Sequence, residues 1–367
     1  MKPRLSKKQQ WFKQIHLTQD DQLYVGIDVH KDSYHLAFWL NDRLAIDFVM
    51  PANNQQVLAT LQKLRIAVKT IVYEAGPTGY SLARLLQKHH LPIEVIAPTA
   101  TPRSAASQAK TDRLDCRKLA QFAAKGLLRK IAIPTPQQEA DRQLTRLRQQ
   151  IVPKFRRIKI QIKSFLLQHG IPEPQGLTSW SNAAIAQLHT LLLTANLRYC
   201  LDTFLTELLF LKEQLKNVDA KIKQLSQQKN YQSKINTLKT HPGIGPTIAA
   251  QYATEIFNPK RFHDKTQIAK YVGLSPQITQ SGKTLRDGPI VKTGRPELRC
   301  NLIEAAWIWI RKDPHAYQTY CRIRTNTGHQ NKAITAMARK LAVNLWKMLC
   351  DEKPYQPQTT LNTTRSA

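Results

Sequence analysis

A chain of 367 residues can bury two or three sizeable cores. Its 55 Lys+Arg against 25 Asp+Glu leave a formal charge of +30, which points to a polyanionic partner, nucleic acid first. Composition argues against a membrane span, a secretory leader and a zinc or disulfide framework. No apolar run approaches 18 residues, the basic start "MKPRLSKKQQWFKQIH" has no apolar core, and Cys116, Cys200, Cys300, Cys321 and Cys350 form no CxxC pair. A reducing cytoplasm is the expected compartment, and the first 22 residues are expected to form a basic arm along phosphates.

From residue 23 the pattern alternates at the period of a strand. "LYVGIDVH", "YHLAFWL" and "RLAIDFVM" read as three strands, 54–66 as a helix, and "TIVYEA" as a fourth strand. "GYSLARLLQKHH" reads as a helix, "PIEVIAP" as a fifth strand, and 104–127 as a further helix. The order β-β-β-α-β-α-β-α over 23–135 predicts a mixed sheet with helices on its faces.

A helical region follows over 136–235. Leu197, Leu201, Phe204, Leu208, Leu211, Leu215, Val218, Ile222 and Leu225 recur at spacings of four and three, the seam of a coiled coil. Leu144, Leu147, Ile151, Ile158 and Ile162 form a less regular stripe upstream, and "GIPEPQG" separates the two. Such a seam closes either as a hairpin within one chain or between two chains; a dimer is the expectation. The last part, 236–350, opens with "LKTHPGIGPTIAA" and ends in the helical run "NKAITAMARKLAVNLWKMLC". A polar tail, 351–367, is expected to be disordered after Lys353.

Four carboxylates stand out in so basic a chain. Asp28 sits in the strand "YVGIDVH", where a charge is costly without a partner. Glu74 ends the apolar strand "IVYEAG". Asp112 and Asp115 lie three apart in "KTDRLDCRKLAQF", on one side of a helix. Four converging carboxylates need a cation, and hard oxygen donors select Mg²⁺ or Mn²⁺. The blander reading makes Asp112 and Asp115 surface partners of Arg113, Arg117 and Lys118.

"YVGIDVHKDSYHLAF", "IVYEAGPTGYSLARLL" and "KTDRLDCRKLAQF", in this order, resemble the DEDD transposases of the insertion sequence 110 family, whose first domain has the RuvC-like, or RNase H-like, fold. The resemblance implies a metal-binding catalytic tetrad of Asp28, Glu74, Asp112 and Asp115. It also implies a C-terminal helical transposase domain with a helix-hairpin-helix.

"LKTHPGIGPTIAA" reads as helix, glycine turn, helix. Gly243 and Gly245 would open backbone N–H groups toward a phosphate. Downstream, 270–295 is read as a long loop dense in Gly, Ser, Thr and basic residues. "SGKT" at 281–284 is no Walker A motif, because Gln277 stands where glycine is required. After the segment "VGLSP", the resemblance instead places a serine nucleophile at Ser281, with Ser275, Thr279 and Thr284 as neighbouring alternatives. Lys283, Arg286, Lys292 and Arg295 stand close in sequence to stabilise phosphoryl transfer.

The family reading makes the chain a recombinase that moves or inverts a DNA element through a serine–DNA link. It implies a homo-dimer that pairs to a tetramer, and a structured non-coding guide RNA. A metal-dependent junction nuclease would need the four acids but not Ser281, and a plain nucleic-acid binder would need neither.

Overall fold

A computed structural model describes residues 7–14, 18, 20–64, 67–98, 112–281 and 284–357; the side chains of Lys7, Gln14, Asp112, 278–281 and 284–287 lie outside that description. The chain divides into two compact units, Met1–Ile133 and Pro134–Ala367.

The first unit begins with helix α1 (Lys7–Gln14). The Trp11 ring meets that of Phe38 at a tilt, 5.3 Å between centroids, and Lys8 Nζ lies 4.4 Å over the Phe48 ring. This part of the expected arm is therefore a docked helix: its two aromatic residues are better buried than laid along a polyanion. Five strands follow: β1 (Leu23–Val29), β2 (Ser33–Leu40), β3 (Arg43–Pro51), β4 (Val68–Glu74) and β5 (Ile93–Ile96). They form one sheet in the order β3-β2-β1-β4-β5. β1 pairs antiparallel with β2 and parallel with β4, so the sheet is mixed, as the element order predicts.

Alternation along β1 assigns the two faces of this sheet. Leu23, Val25 and Ile27 are fully buried in a core shared with α2 (Asn54–Gln62) and α3 (Ser81–Lys88). Asn53 caps α2 by accepting from the backbone N–H groups of Gln55 and Gln56. The other face is covered by α4 (Asp112–Ala124), whose Cys116, Leu119 and Ala120 pack on Ala37, Val72 and Ile96.

The second unit is built from helices and one hairpin. α5 (Pro136–Gln168) starts at a capping box formed by Thr135 and Gln138, with Pro136 in its first turn. After α6 (Asn182–Thr190) comes α7 (Ala195–Ser226), which carries the heptad seam. Here the structure corrects the dimer expectation for that seam: Leu201, Leu205, Leu208, Leu211, Val218, Ile222 and Leu225 are buried against Ile151, Ile158, Ile162 and Phe165 of α5. A heptad stripe does not say which helix fills it, and a hairpin partner within the same chain brings no loss of association entropy. Each buried leucine contributes about 1.5–3 kcal/mol over an exposed one.

The chain continues through α8 (Lys229–Lys239), α9 (Pro246–Ile256) and α10 (Lys265–Tyr271) to a hairpin of β6 (Pro276–Ser281) and β7 (Thr284–Ile290). α11 (Pro296–Lys312), α12 (Pro314–Thr327) and α13 (Gln330–Asp351) complete it. The stretches 136–235 and 236–350 share one hydrophobic core. Arg146 of α5 forks onto Glu255 of α9 at 2.7 and 2.9 Å, with Glu255 buried, which ties the two stretches together.

Two further expectations are corrected. The expected loop of 270–295 contains a strand pair, with Ser281 opposite Thr284 and Gln280 opposite Leu285. Glycine, serine and lysine in its sequence conceal the strand alternation. The start of the polar tail is ordered by Tyr355, whose backbone N–H donates to Thr240 Oγ1 at 2.8 Å and whose hydroxyl bonds Asp313.

Candidate active site

Parallel pairing brings two of the four acids to one end of the sheet. Gly26 pairs with Val72 and Ile27 with Tyr73, so Asp28 and Glu74 come next on neighbouring strands, about 4.8 Å apart in strand spacing. Residues two apart share a face. Asp28 therefore shares the face of Gly26, and Glu74 that of Val72, the face that α4 covers.

Gly26 sets how closely the helix approaches. A Cβ there would sit 2.2 Å from the Cys116 carbonyl oxygen and 2.5 Å from the Ala120 nitrogen. The second turn of α4 thus lies directly on β1. The first turn, with Asp112 and Asp115, lies one turn back along the same stripe as Cys116 and Leu119. The Asp28 carboxylate is close enough to Cys116 to help raise its thiol pKa. Burial is the main cause, the Asp47 and Asp28 carboxylates add to it, and the thiol is pushed up to about 12. Cys116 is a packed neutral group beside the acids and no nucleophile.

The surroundings of the acids separate them from ordinary surface pairs. Arg113 and Arg117 do not serve Asp115 in the described contacts; both turn to Asp47 on β3. Arg113 Nε donates to Asp47 Oδ1 at 2.9 Å and Oδ2 at 3.1 Å, its terminal nitrogen lies 2.8 Å from Oδ1, and Arg117 Nε also bonds Oδ2. Burial would raise Asp47, but the hydrogen bonds and charges of Arg113 and Arg117 outweigh it and hold the carboxyl below its usual range. Lys118 Nζ lies 4.0 Å from Asp115, the limit of an ion pair, and the Asp115 side chain is 35% exposed. Asp28 is 20% exposed and contacts His30 Nε2 at 3.0 Å. His35 is the cross-strand partner of Asp28, and its ring meets that of His30 edge-on at 6.3 Å.

Among the described residues no group of three or more His, Cys, Asp or Glu side chains is gathered to hold a metal ion. The Asp112 side chain lies outside that description. Chemically the donors suit the expected cation, since all four candidates are hard carboxylate oxygen donors.

The remaining candidates lie in the second unit. Ser281 ends β6; its side chain and that of Arg286 are outside the described set, as are Thr279 and Thr284, and Lys283 is outside it altogether. Ser275 is buried at the hairpin's root, where its carbonyl accepts from Val291 N–H at 2.8 Å. Gly273, at φ +71°, and Gly294 meet back to back there: a Cβ on Gly294 would come within 2.4 Å of the Gly273 nitrogen and the Tyr271 oxygen. Lys292 and Arg295 are exposed in the turn between β7 and α11. Gly243 adopts φ +87° in the α8–α9 turn, and a Cβ there would strike the Ala305 oxygen at 2.4 Å. Gly245 caps α9 with no atom within 4 Å of a Cβ placed on it, so that helix start is open. His241 in this turn is buried, which lowers its pKa to about 4 and keeps it neutral. The sequence reading singled out neither Gly26, Asp47, His30 nor the Gly273–Gly294 contact. Only the glycines carried a local signal, as possible close approaches.

A mixed sheet with acids at the ends of adjoining parallel strands and a D-x-x-D helix across them defines the DEDD class of transposase fold. Residues 25–171 match the DEDD transposase family of the IS110 type, described as "Transposase", and residues 235–321 match the family described as "Transposase IS116/IS110/IS902 family". "Putative transposase y4rJ" of Sinorhizobium fredii is 30% identical over 301 residues, 76% of each chain. The transposase for insertion sequence element IS1533 of Leptospira borgpetersenii is 25% identical over 342 residues, 91% of this chain and 97% of that one. The transposase for IS1111A of Coxiella burnetii is 21% identical over 350 residues, 94% of each. The chain belongs to the IS116/IS110/IS902 family of transposases. No helix among the described residues is long and apolar enough to cross a membrane.

Proposed function

We propose that this transposase excises and inserts a DNA element by strand exchange through a serine–DNA phosphodiester. The observation that carries the reading is the register that sets Asp28 beside Glu74 on the face covered by α4. Asp28, Glu74, Asp112 and Asp115 would hold Mg²⁺ or Mn²⁺, which when bound supplies charge neutralisation at the scissile phosphate. Asp47 binds Arg113 and Arg117, which fixes the helix carrying two of the acids and keeps those cations off Asp115.

In the reaction, the Ser281 hydroxyl oxygen forms a bond to phosphorus as the bond from phosphorus to a sugar oxygen breaks. The serine proton passes, directly or through water, to the departing sugar oxygen. The phosphodiester count is unchanged, so a second strand's hydroxyl can reverse the step without ATP. Lys283, Arg286, Lys292 and Arg295 would face the phosphate, and the open N–H groups near Gly243 and Gly245 would hold the strand backbone.

The charge of +30 suits both the DNA and the structured guide RNA that the family reading adds. Base pairing would then choose the site, while the protein reads backbone shape. Pairing of two copies into a dimer and tetramer belongs to the same proposal and needs a surface other than the seam filled by α5.

Asp28→Ala, Glu74→Ala and Asp115→Ala test the reading in a strand-cleavage assay with Mg²⁺. Each is expected to abolish cleavage while binding of DNA and RNA persists. Cleavage at wild-type rate in all three would remove the acids from the mechanism.

A further inference from the structure

A cavity of about 370 Å³ opens in the second unit between α11, α12, α13 and the segment after α13. Its floor is apolar and partly flat, made by the buried side chains of Trp309, Met337 and Met348. Tyr355 forms one wall. It is fixed there by Trp309 Nε1, which donates to its hydroxyl at 3.0 Å, and by its own bonds to Asp313 and Thr240. The wall is thus held in place before any ligand arrives.

The rim has the opposite character. Lys340, Asn344 and Lys347 follow one stripe of α13 at spacings of four and three, and Lys353 joins them from the segment beyond. Asp351 is the single carboxylate among the lining residues, so lysines outnumber acids three to one. None of the three lysines makes an ion pair among the described residues. His315 lines another edge, and its buried Nδ1 has no hydrogen-bond partner among the described residues. A buried nitrogen in that condition is costly and is commonly satisfied by water or a ligand.

A ligand with a flat apolar body and an anionic edge satisfies both parts of this lining. We propose that the cavity binds one nucleotide, its base against the Trp309–Met337–Met348 floor and its phosphate toward Lys340 and Lys347. Polarisable sulfur and aromatic surface accepts any base face, while Asn344 and Thr319 can reach its polar edge. The nucleotide is either free or one unit of a single strand. The strand-borne form rests on the nucleic-acid reading above; the free form does not.

The test is photocrosslinking on the full chain at low salt, with labelled peptides mapped by mass spectrometry. One probe is 8-azidoadenosine monophosphate; the other is a single-stranded 12-mer, DNA or RNA, carrying one 5-iodouracil. The variants are Lys340→Gln with Lys347→Gln, and Thr319→Trp, which plugs the mouth; thermal unfolding monitors that both are folded. Labelling is expected in 309–319, 337–348 or 353–357, the segments that line the cavity, and falls at least about fivefold in both variants. Labelling by the 12-mer assigns a strand-borne nucleotide, and labelling by the mononucleotide alone assigns a free one. A 12-mer that binds but crosslinks only elsewhere, with those segments unlabelled by either probe, overturns the inference and leaves the nucleic-acid reading standing. A 12-mer that does not bind, beside a mononucleotide that labels the cavity, does the reverse. Labelling unchanged in both variants also overturns the inference.

Discussion

Arg113 donates through one nitrogen to both oxygens of Asp47, at 2.9 and 3.1 Å, although the two residues are 66 positions apart. This contact, with that of Arg117, anchors α4 to β3. Asp47→Asn is expected to destabilise the first unit by about 1–3 kcal/mol at pH 7. The sign with pH follows from the lowered carboxyl of Asp47. Its stabilisation is present above the ordinary carboxyl pKa, about 4, and is lost as pH falls through the lower folded value. Denaturant unfolding at pH 7 and pH 3 should show the gap between variant and wild type closing at pH 3. A gap that persists unchanged there would contradict the account.

Gly26→Ala tests the seating of α4. The new Cβ would overlap backbone atoms of Cys116 and Ala120, which cannot rotate away. Overpacking of this kind costs about 1–3 kcal/mol and should displace the Asp112–Asp115 turn. Unfolding and cleavage should both suffer, and a variant with wild-type stability would show that the helix sits farther off.

His241 gives the second unit its own acid sensitivity. Burial lowers its pKa to about 4, with the nearby Asp313 and the Pro242 carbonyl only partly opposing. The unfolded chain binds a proton near pH 6.5 that the folded chain refuses until about pH 4. Stability from this group is therefore complete above 6.5 and declines between 6.5 and 4, by up to about 3 kcal/mol. Thermal unfolding followed over that range should flatten in His241→Asn. An equal slope in both proteins would contradict the burial.

Gly294→Ala tests the root of the hairpin that carries Ser281. The Cβ would force apart the backbones at Gly273 and Tyr271. Nucleic-acid binding and helical content should survive, while strand exchange falls about 100-fold, the scale of a misplacement near 1 Å. Full activity would mean that the hairpin is not positioned from its base.

The sequence carried the first unit well, because strand alternation and short connections are local signals. Leu23, Val25 and Ile27 announced one face, and Asp28 announced the other. Pairing is not local: convergence of Asp28 and Glu74 could be expected from the two strand-end acids, but their register could not. Asp47 was invisible for the same reason: its partners lie 66 and 70 positions away. The seam on α7 was legible, but its partner was not, since one period fits a hairpin and a dimer alike. Tyr355 looked like a residue of a polar tail. Its anchors, Asp313 and Thr240, lie 42 and 115 positions upstream. The hairpin at 276–290 was hidden by Gly282, Ser281 and Lys283, which read as loop.

The central claim, a serine that takes the DNA strand while the acids serve the phosphate, is tested most directly by covalent trapping. Protein, Mg²⁺, RNA from the region flanking the element and labelled element-end DNA are mixed, denatured and run on a gel. Wild type should give a protease-sensitive protein–DNA adduct, and Ser281→Ala should give none. An adduct that survives the substitution would move the nucleophile to a neighbour such as Ser275. Cleavage without an adduct in either protein would contradict the serine mechanism and leave the acids as the whole active site.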